Sequence, residues 1–301
     1  MAFQFKQEET VATAIHRVLK EQIAKAAAEL QSTPKQIHQG VHNARKCIKK
    51  IRSVLRLIRS EIPQHAYRNE NIKFRDAARC LASTREAGAM LETFEQLCQN
   101  FPELSGEENV FTMRRQILQW RDDTTKLDDG FKGTCAVIAS KFHDSSCEIH
   151  KIFPSQLNFS SIAAAFKRIY KQGKKARKMV EENFNEESSH EWRKLVKDYY
   201  YYSHLFGSSR PEFWQKRSVK LKELSEFLGN YHDLCIFKKL LKTKRYSWGK
   251  ENCRAFKKIA TREQEKLRLA AQQIGAEVYR QTAADFYTEI CSHWQMWKKS
   301  A

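Results

Sequence analysis

The sequence contains little glycine and proline, with 10 and 5 residues among 301. It also lacks runs of alternating β-branched residues bounded by turns, which are typical of strands. These absences disfavour a turn-rich β protein and predict long helices instead. With 41% apolar residues, the chain can bury a sizeable core.

Paired cysteines and long apolar runs are missing as well. The eight cysteines are scattered and none forms a Cys-x-x-Cys pair, so we expect free, mostly buried thiols in a reducing compartment. No stretch approaches the roughly 20 apolar residues of a membrane span, and the polar first residues do not resemble a signal peptide. We therefore expect a cytoplasmic protein without a membrane partner.

Positive charge is what the chain has in excess. It contains 54 Lys and Arg against 35 Asp and Glu, a net charge of +19. Residues 155–301 hold 30 of these cations against 16 acids, whereas residues 1–154 hold 24 against 19. Such an excess predicts an anionic partner, which is nucleic acid, an acidic membrane or a phosphate polymer.

A basic helical pattern occurs twice, 148 positions apart. The first copy is His42, Arg45, Lys46 and Lys49, and the second is His190, Arg193, Lys194 and Lys197. The repeat predicts one all-α domain over residues 1–301, made of two pseudo-symmetric four-helix bundles, residues 1–154 and 155–301, with a basic central groove between them.

Glycine and proline divide the chain into eight predicted helices. They cover about residues 6–31, 35–61, 65–99 and 107–152 in the first half, and 160–187, 188–206, 211–243 and 249–299 in the second. The last helix of each half is expected to kink, near Gly130 and Gly133 and near Gly275. Residues 155–158 are predicted to link the halves.

Residues 41–59 carry seven Lys and Arg and no acid. Helical spacing places six basic residues on one face, over roughly 25 Å at about 1.5 Å per residue: His42, Arg45, Lys49, Arg52, Arg56 and Arg59. Such a stripe weakens its own helix, so we expect it to meet an acidic partner inside or outside the protein. A simple solvated face is the alternative.

Two further groups of cations follow in the second half. Lys167, Lys171, Lys174 and Lys178 lie in another acid-free segment, residues 161–180, and Lys216 and Lys220 lie in a third cluster. Residues 41–59 contain no aromatic residue on which a base could stack. Bare phosphate is therefore favoured over nucleic acid, and Tyr199–Tyr202 are interpreted as core or groove wall.

Three motifs in order resemble those of the CHAD domain, the conserved histidine α-helical domain. They are His42-x-x-Arg45-Lys46-x-x-Lys49-Lys50-x-Arg52, His190-x-x-Arg193-Lys194-x-x-Lys197 and Leu228-Gly229-x-x-His232-Asp233-Leu234. The resemblance spans nearly the whole chain. It implies two four-helix bundles, a basic central groove, binding of inorganic polyphosphate and association with polyphosphate granules.

The resemblance also implies ligand residues, namely His42, Arg45, Lys49, Arg52, His190, Arg193 and Lys197. The charge pattern adds Lys46, Arg56, Lys167, Lys171, Lys174, Lys178, Lys194, Lys216 and Lys220 to the predicted polyphosphate-binding set. In two places the sequence departs from the family pattern. Lys49 and Lys50 replace arginines, while Asp198 and Tyr200 stand where the family often has basic residues.

The leading hypothesis is non-enzymatic binding of polyphosphate, with no cofactor and no metal. A single-stranded nucleic-acid-binding protein and a metal-dependent phosphohydrolase are the alternatives. A metal would have to use His143, Cys147 and His150, which share a predicted helix face, or His232 and Asp233, which we interpret as a structural pair. The many cations are expected to disfavour protonation of His42 and His190 until phosphate arrives, so we expect tighter binding at mildly acidic pH.

Overall fold

The described residues form α-helices and connecting turns, with no β-strand among them. The structure, a computed structural model, describes residues 3–31, 36–104, 108–124, 129–152, 157–243 and 248–300. The helices within these ranges are α1 (Val11–Leu30), α2 (Ile37–Leu57), α3 (Gln64–Cys80), α4 (Ala82–Asn100), α5 (Glu108–Asp123), α6 (Asp129–Glu148), α7 (Phe159–Glu182), α8 (Glu186–Leu205), α9 (Pro211–Leu240), α10 (Lys250–Val278) and α11 (Ala283–Lys299). The predicted all-α fold class is confirmed.

The prediction of eight helices is wrong, because three of them are each divided in two. The predicted helix 65–99 is α3 and α4, 107–152 is α5 and α6, and 249–299 is α10 and α11. Gly130 and Gly133 lie at the start of α6, which begins at Asp129, so this interruption is near the expected position; Gly275 lies within α10, which continues to Val278. Pro34, Gly106, Pro154 and positions 155 and 156 of the predicted link lie outside the described residues.

Side-chain hydrogen bonds and packing explain the break between α10 and α11. The Thr282 side chain accepts a hydrogen bond from the backbone N–H of Asp285 at 3.1 Å and so begins α11, which satisfies a free donor of the first turn. Gly275 has a different role, since a Cβ atom there would lie 2.6 Å from the ring of Trp192. The indole of α8 therefore packs directly on the backbone of α10.

The two halves repeat the same helix contacts. α1 packs on α2 and α6, and in the second half α7 packs on α8 and α11; likewise α4 packs on α5, and α9 on α10. Across the halves, α2 contacts α8 and α4 contacts α9. Contact between equivalent helices is what an internal twofold axis would produce, and this axis stays a prediction.

The larger apolar core contains buried residues from both halves. Ile51 and Leu55 of α2 belong to the same cluster as Tyr199 and Tyr202 of α8. A smaller cluster lies among α4, α5, α9 and α10. Tyr199, Tyr201 and Tyr202 are buried and Tyr200 is half-buried, as the interpretation of these residues as core or wall required.

The helices are less apolar than helices that span a membrane. Among the residues that the structure describes, no helix is both long enough and apolar enough to cross a bilayer.

Candidate anion-binding site

Helices α2 and α8, which carry the two copies of the basic pattern, are joined by polar contacts across the halves. The Arg56 guanidinium donates from Nε to Asp198 Oδ2 at 2.8 Å and also contacts Oδ1. The Tyr202 hydroxyl donates to the carbonyl oxygen of Ser53 at 2.9 Å. Burial opposes the charge on Arg56, yet the Asp198 carboxylate raises the pKa of this guanidinium. These contacts fix the relative position of the two basic helices.

Cations from three helices lie within electrostatic reach of one another. We call Arg45, Lys46 and Lys49 of α2, Arg85 of α4, and Arg193 and Lys197 of α8 the cation cluster. Burial, Arg193, Arg45, Lys197 and Arg85 together lower the pKa of Lys49 to about 7. Burial and Arg193 lower the pKa of Lys197 to about 8, with a further contribution from Lys46. The lysines of one half therefore experience the charges of the other half.

Lys49 is one of the two exposed members of this cluster, and Lys46 is the other. Within the described part of the chain, Lys49 makes no hydrogen bond or ion pair. Burial lowers its pKa although the side chain is accessible, so the amine lies where neighbouring groups remove part of its hydration. Such an amine can accept an anion without first breaking an internal contact.

Arg45 and Arg193, equivalent in the repeat, each lie against a neighbouring helix. Arg45 donates from Nη1 to the carbonyl oxygen of Ala78 in the last turn of α3, just before the chain interrupts the helix at Leu81. Arg193 lies on Gly229 of α9, where a Cβ atom would be 2.9 Å from Nη2. In the first half, the arginine (Arg45) therefore lies at the break between α3 and α4. In the second half, the arginine (Arg193) lies against a glycine within the continuous helix α9.

This arrangement predicts that Gly229→Ala weakens anion binding without destabilising the fold. The new methyl group would displace the Arg193 guanidinium, which is the mobile end of its side chain, and loss of one charge-assisted contact of about 1.5–3 kcal/mol corresponds to roughly tenfold or more in affinity. Alanine should stabilise the helix interior by about 0.8–1.0 kcal/mol relative to glycine. Calorimetric titration with polyphosphate and urea unfolding measure the two effects.

Gly88→Ala is the matched control. A Cβ atom there would lie 3.7 Å from Nη1 of Arg85, an ordinary van der Waals distance that leaves the arginine in place. If both variants bind as tightly as the original protein, the position of Arg193 does not determine affinity.

Acidic residues adjoin the cation cluster on one side. A cavity of about 360 Å³ between α4, α8, α9 and α10 is lined by Arg85, Arg193 and Lys197 together with Glu92, Glu226, Asp233 and Glu263. The nearest contact between Arg85 and Glu92 is 3.1 Å. Burial raises the pKa of Asp233, although Arg193 opposes this effect. The side of the cation cluster that faces α9 and α10 therefore contains both positively and negatively charged side chains.

The histidines of the motifs are half-buried beside the cations. Burial, Lys46 and Arg85 lower the pKa of His42 to about 4, so it is neutral near pH 7. Burial and Lys194 lower the pKa of His190, and burial and Arg193 lower that of His232. The rings of His190 and His232 have centroids 4.9 Å apart. The direction of these shifts is the one predicted for His42 and His190 in the unliganded protein.

The second half of the α2 stripe contacts other parts of the protein. Arg52 donates from Nε to Asn71 Oδ1 at 3.0 Å, Arg56 pairs with Asp198, and Arg59 lies 5.0 Å from the ring centre of Tyr67. The stripe was expected to meet an acidic partner inside or outside the protein, and Arg56 meets one inside, Asp198 of α8, while side chains of α3 contact Arg52 and Arg59. The exposed positive charge of α2 is concentrated at Lys46 and Lys49.

Three of the predicted cations of α7 and α9 contact α10, α11 or the turn between them. Lys167 lies 5.0 Å from the ring centre of Tyr287, Lys174 donates to the carbonyl oxygen of Gln281 at 2.6 Å, and Lys220 pairs with Glu277. Lys171, Lys178 and Lys216 are exposed. Lys194 of α8 is exposed as well and pairs with Glu191 of its own helix. The contacts of Lys167, Lys174 and Lys220 assign them to a surface of the second half that differs from the cation cluster.

Two contributors to the site were not predicted from the sequence. Arg85 corresponds to His232 at an offset of 147 positions, and Gly229 belongs to the third motif. Neither feature indicated a contact with the cations of α2 or α8.

The residues considered for a metal do not form a site. Within the described ranges, no group of three or more His, Cys, Asp or Glu side chains is arranged to hold a metal ion. This includes His143, Cys147 and His150, which lie at the end of α6 and in the turn after it.

Comparisons with known proteins agree with this architecture. The family model of the CHAD domain matches residues 17–242. The structure is similar to that of PptA from Streptomyces chartreusis, with a TM-score of 0.64 and 16% sequence identity over 86% of this chain and 97% of that one. A search of curated proteins found no match. Since the family model covers most of the chain, this protein belongs to the CHAD domain family.

Proposed function

We propose that this protein binds inorganic polyphosphate at the cation cluster, without chemical conversion of the polymer. The observation that carries the proposal is the mutual electrostatic influence of Lys49, Arg193 and Lys197, which come from both halves. A polymer with at least one negative charge per phosphate can pair with several of these cations at once. Membership of the CHAD family supports the same ligand.

The chemistry of the cluster favours bare phosphate over nucleic acid. Arginine can bind phosphate through two parallel N–H groups, and lysine supplies a compact charge. Proteins that hold single strands usually add aromatic platforms for the bases. Tyr200 is an aromatic residue beside the cluster, and Lys197 Nζ already lies 5.5 Å from the centre of its ring.

The predicted binding residues take different roles in this proposal. His42, Arg45, Lys46, Lys49, His190, Arg193 and Lys197 line the polyphosphate-binding groove, with Lys194 at its edge. Arg52 and Arg56 hold α2 against α3 and α8. The remaining predicted cations attract the polyanion over a distance limited by salt screening. They are Lys167, Lys174 and Lys220 on the other surface and the exposed Lys171, Lys178 and Lys216.

Affinity for polyphosphate is expected to fall as the pH rises above about 7. Lys49 and Lys197 have pKa values of about 7 and about 8 without ligand, and a bound phosphate favours their charged forms and raises both values. Binding therefore takes up protons, and each lysine contributes up to about tenfold per pH unit above its free pKa. Below about pH 6 both are largely charged, and affinity levels off.

Titrations at about pH 6.5, 7.5 and 8.5 measure this dependence. The control is Lys49→Arg/Lys197→Arg, whose guanidinium groups stay charged throughout this range, and its affinity should change less. An equal fall in both proteins would contradict the role of the lysines. We expect the lysines to contribute most of this dependence, because His42 without ligand, with a pKa of about 4, is neutral over this range.

Competition between polymers tests the proposed ligand. Polyphosphate of defined length is titrated calorimetrically, and single-stranded RNA is then added at equal phosphate concentration. We expect RNA to displace little polyphosphate, and log K to fall with log salt with a slope of about −3 if four phosphates are contacted. Displacement by RNA at equal phosphate would favour the nucleic-acid alternative.

Incubation of the same polymer with magnesium or manganese tests the proposed absence of catalysis. We expect no change in chain length. Shortening that disappears in His232→Ala would show a phosphohydrolase instead. Binding without cleavage fits a role in holding the protein on polyphosphate granules in the cytoplasm, which imaging of a labelled protein beside stained granules would test.

A further inference from the structure

A second cavity, of about 430 Å³, lies on the second half of the protein and shares no lining residue with the cation cluster. It is lined by Arg217, Lys220, Glu277, Arg280 and Gln281. These residues belong to α9, to the last turn of α10 and to the turn between α10 and α11. The cavity is within the size range of small-molecule sites, about 300–1,000 Å³. Three basic side chains and one acidic side chain give its lining a net charge of +2.

Arg217 is fixed in this cavity by contacts on two sides of its guanidinium group. Nη1 donates to the hydroxyl oxygen of Tyr199 at 2.7 Å, and Nη2 donates to Oε1 of Gln281 at 3.0 Å. The guanidinium carbon also lies 4.6 Å from the ring centre of Phe213. An arginine has five N–H donors, so the others have no protein partner among the described residues. A fixed guanidinium with free donors loses little conformational entropy when it binds an oxyanion.

Arg280 and Lys220 supply accessible positive charge to the same cavity. Both side chains are exposed. The Arg280 side chain makes no hydrogen bond or ion pair within the described part of the chain, so it can bind a ligand without breaking an internal contact. Lys220 pairs with Glu277, but a pair this exposed is weak, and an anion can compete for the amine.

The helix end beside the cavity does not prevent anion binding. Carbonyl oxygens at the C-terminal end of a helix ordinarily repel an anion. Here the Tyr170 hydroxyl and Lys174 Nζ both donate to the carbonyl oxygen of Gln281, at 3.0 and 2.6 Å. Gln281 Nε2 in turn donates to Glu289 at 2.9 Å. The charges of Lys174 and Glu289 offset each other, so the net charge around the cavity stays positive.

We propose that this cavity binds a single phosphate dianion, which is either a small phosphate ester or the terminal group of a phosphate polymer. Such a group carries close to two negative charges at neutral pH, which matches the lining. The charge distribution supports a second anion site. Residues 155–301 hold 30 cations against 16 acids, yet only two of the six members of the cation cluster come from these residues. The proposal does not rest on the proposed function.

Glycerol phosphate is a suitable probe at about pH 7.5, because the second pKa of a phosphate ester is about 6. It is titrated calorimetrically into full-length Lys49→Glu/Lys197→Glu, in which the cation cluster competes little for anions. We expect one molecule to bind per protein. Adding Arg280→Gln should weaken binding at least about tenfold, through the loss of a charge-assisted contact.

Arg254→Gln is the matched control, since it makes the same change at an exposed arginine of α10 that does not line the cavity. It should weaken binding by less than about twofold. No saturable binding of the ester or of polyphosphate to Lys49→Glu/Lys197→Glu, or equal losses in Arg280→Gln and Arg254→Gln, would overturn the proposal.

Short and long polyphosphates identify the source of the phosphate group. If they bind Lys49→Glu/Lys197→Glu in proportion to the number of chain ends, the cavity takes the end of the polymer. If the ester binds and the polymers do not, it takes a small molecule. Both results support the proposal, whereas binding in proportion to total phosphate would overturn it. Polyphosphate affinity equal to that of the original protein, together with Arg280-dependent ester binding, would refute the proposed function alone.

Discussion

Replacing Lys49 and Lys197 together by glutamate is expected to weaken polyphosphate binding at least about 100-fold. Each lysine would lose a charge-assisted contact of about 1.5–3 kcal/mol, and each new carboxylate would repel the polymer. Lys49 makes no internal polar contact in the described chain, and Lys197 contacts the ring of Tyr200. The fold should therefore tolerate both changes. Calorimetric titration at fixed salt and pH measures the loss, and circular dichroism verifies folding.

Lys257→Glu/Lys258→Glu is the matched control, because it makes the same change in net charge on exposed residues of α10. Only the long-range attraction should decrease in this variant, and affinity should fall by no more than a few-fold at physiological salt. A loss of similar size in both double variants would mean that net charge, and not the cluster, determines binding.

Replacing Asp198 by alanine is expected to lower the free energy of unfolding by about 3 kcal/mol. The side chain of Asp198 is only 5% exposed and accepts two hydrogen bonds from Arg56. Removal of one member of a buried ion pair typically costs about 3–5 kcal/mol, because the remaining charge loses its partner. The lower end applies here, since 33% of the Arg56 side chain remains exposed. Urea unfolding measures the difference.

The double variant Arg56→Met/Asp198→Leu shows how much of the lost stability comes from the unpaired charge of Arg56 and how much from lost packing. Apolar residues of similar size often replace a buried ion pair at little cost, so we expect this protein to be more stable than Asp198→Ala. Should the double variant be the less stable of the two, the ion pair would contribute net stability of its own.

The all-α fold class could be predicted from the sequence, whereas several helix ends could not. Scarce glycine and proline and the 148-residue offset indicated helices in two related halves. The break at Leu81 has neither glycine nor proline beside it, and Arg45 lies against it from another helix. Gly275, which suggested a kink, is needed for the contact with Trp192. Tertiary packing overrode local propensity in both places.

The candidate site was predicted in part, for a related reason. Helical spacing correctly places the α2 cations on one helix, but it cannot tell which of them meet an acid or an amide of another helix. Asp198 and Asn71 are 142 and 19 positions away from their arginines. Asp198 also accounts for a departure from the family pattern, because its carboxylate contacts Arg56 where a cation would repel it. The cations of α2 that lack an internal partner are therefore fewer than the stripe contains.

A crystal structure of the protein with polyphosphate of defined length would test the central claim most directly. We predict a phosphate chain between α2 and α8, with oxygens within hydrogen-bonding distance of Lys49 from the first half and of Arg193 and Lys197 from the second. A chain bound along α7, beside Lys171 and Lys178, with the cation cluster unoccupied, would contradict the account.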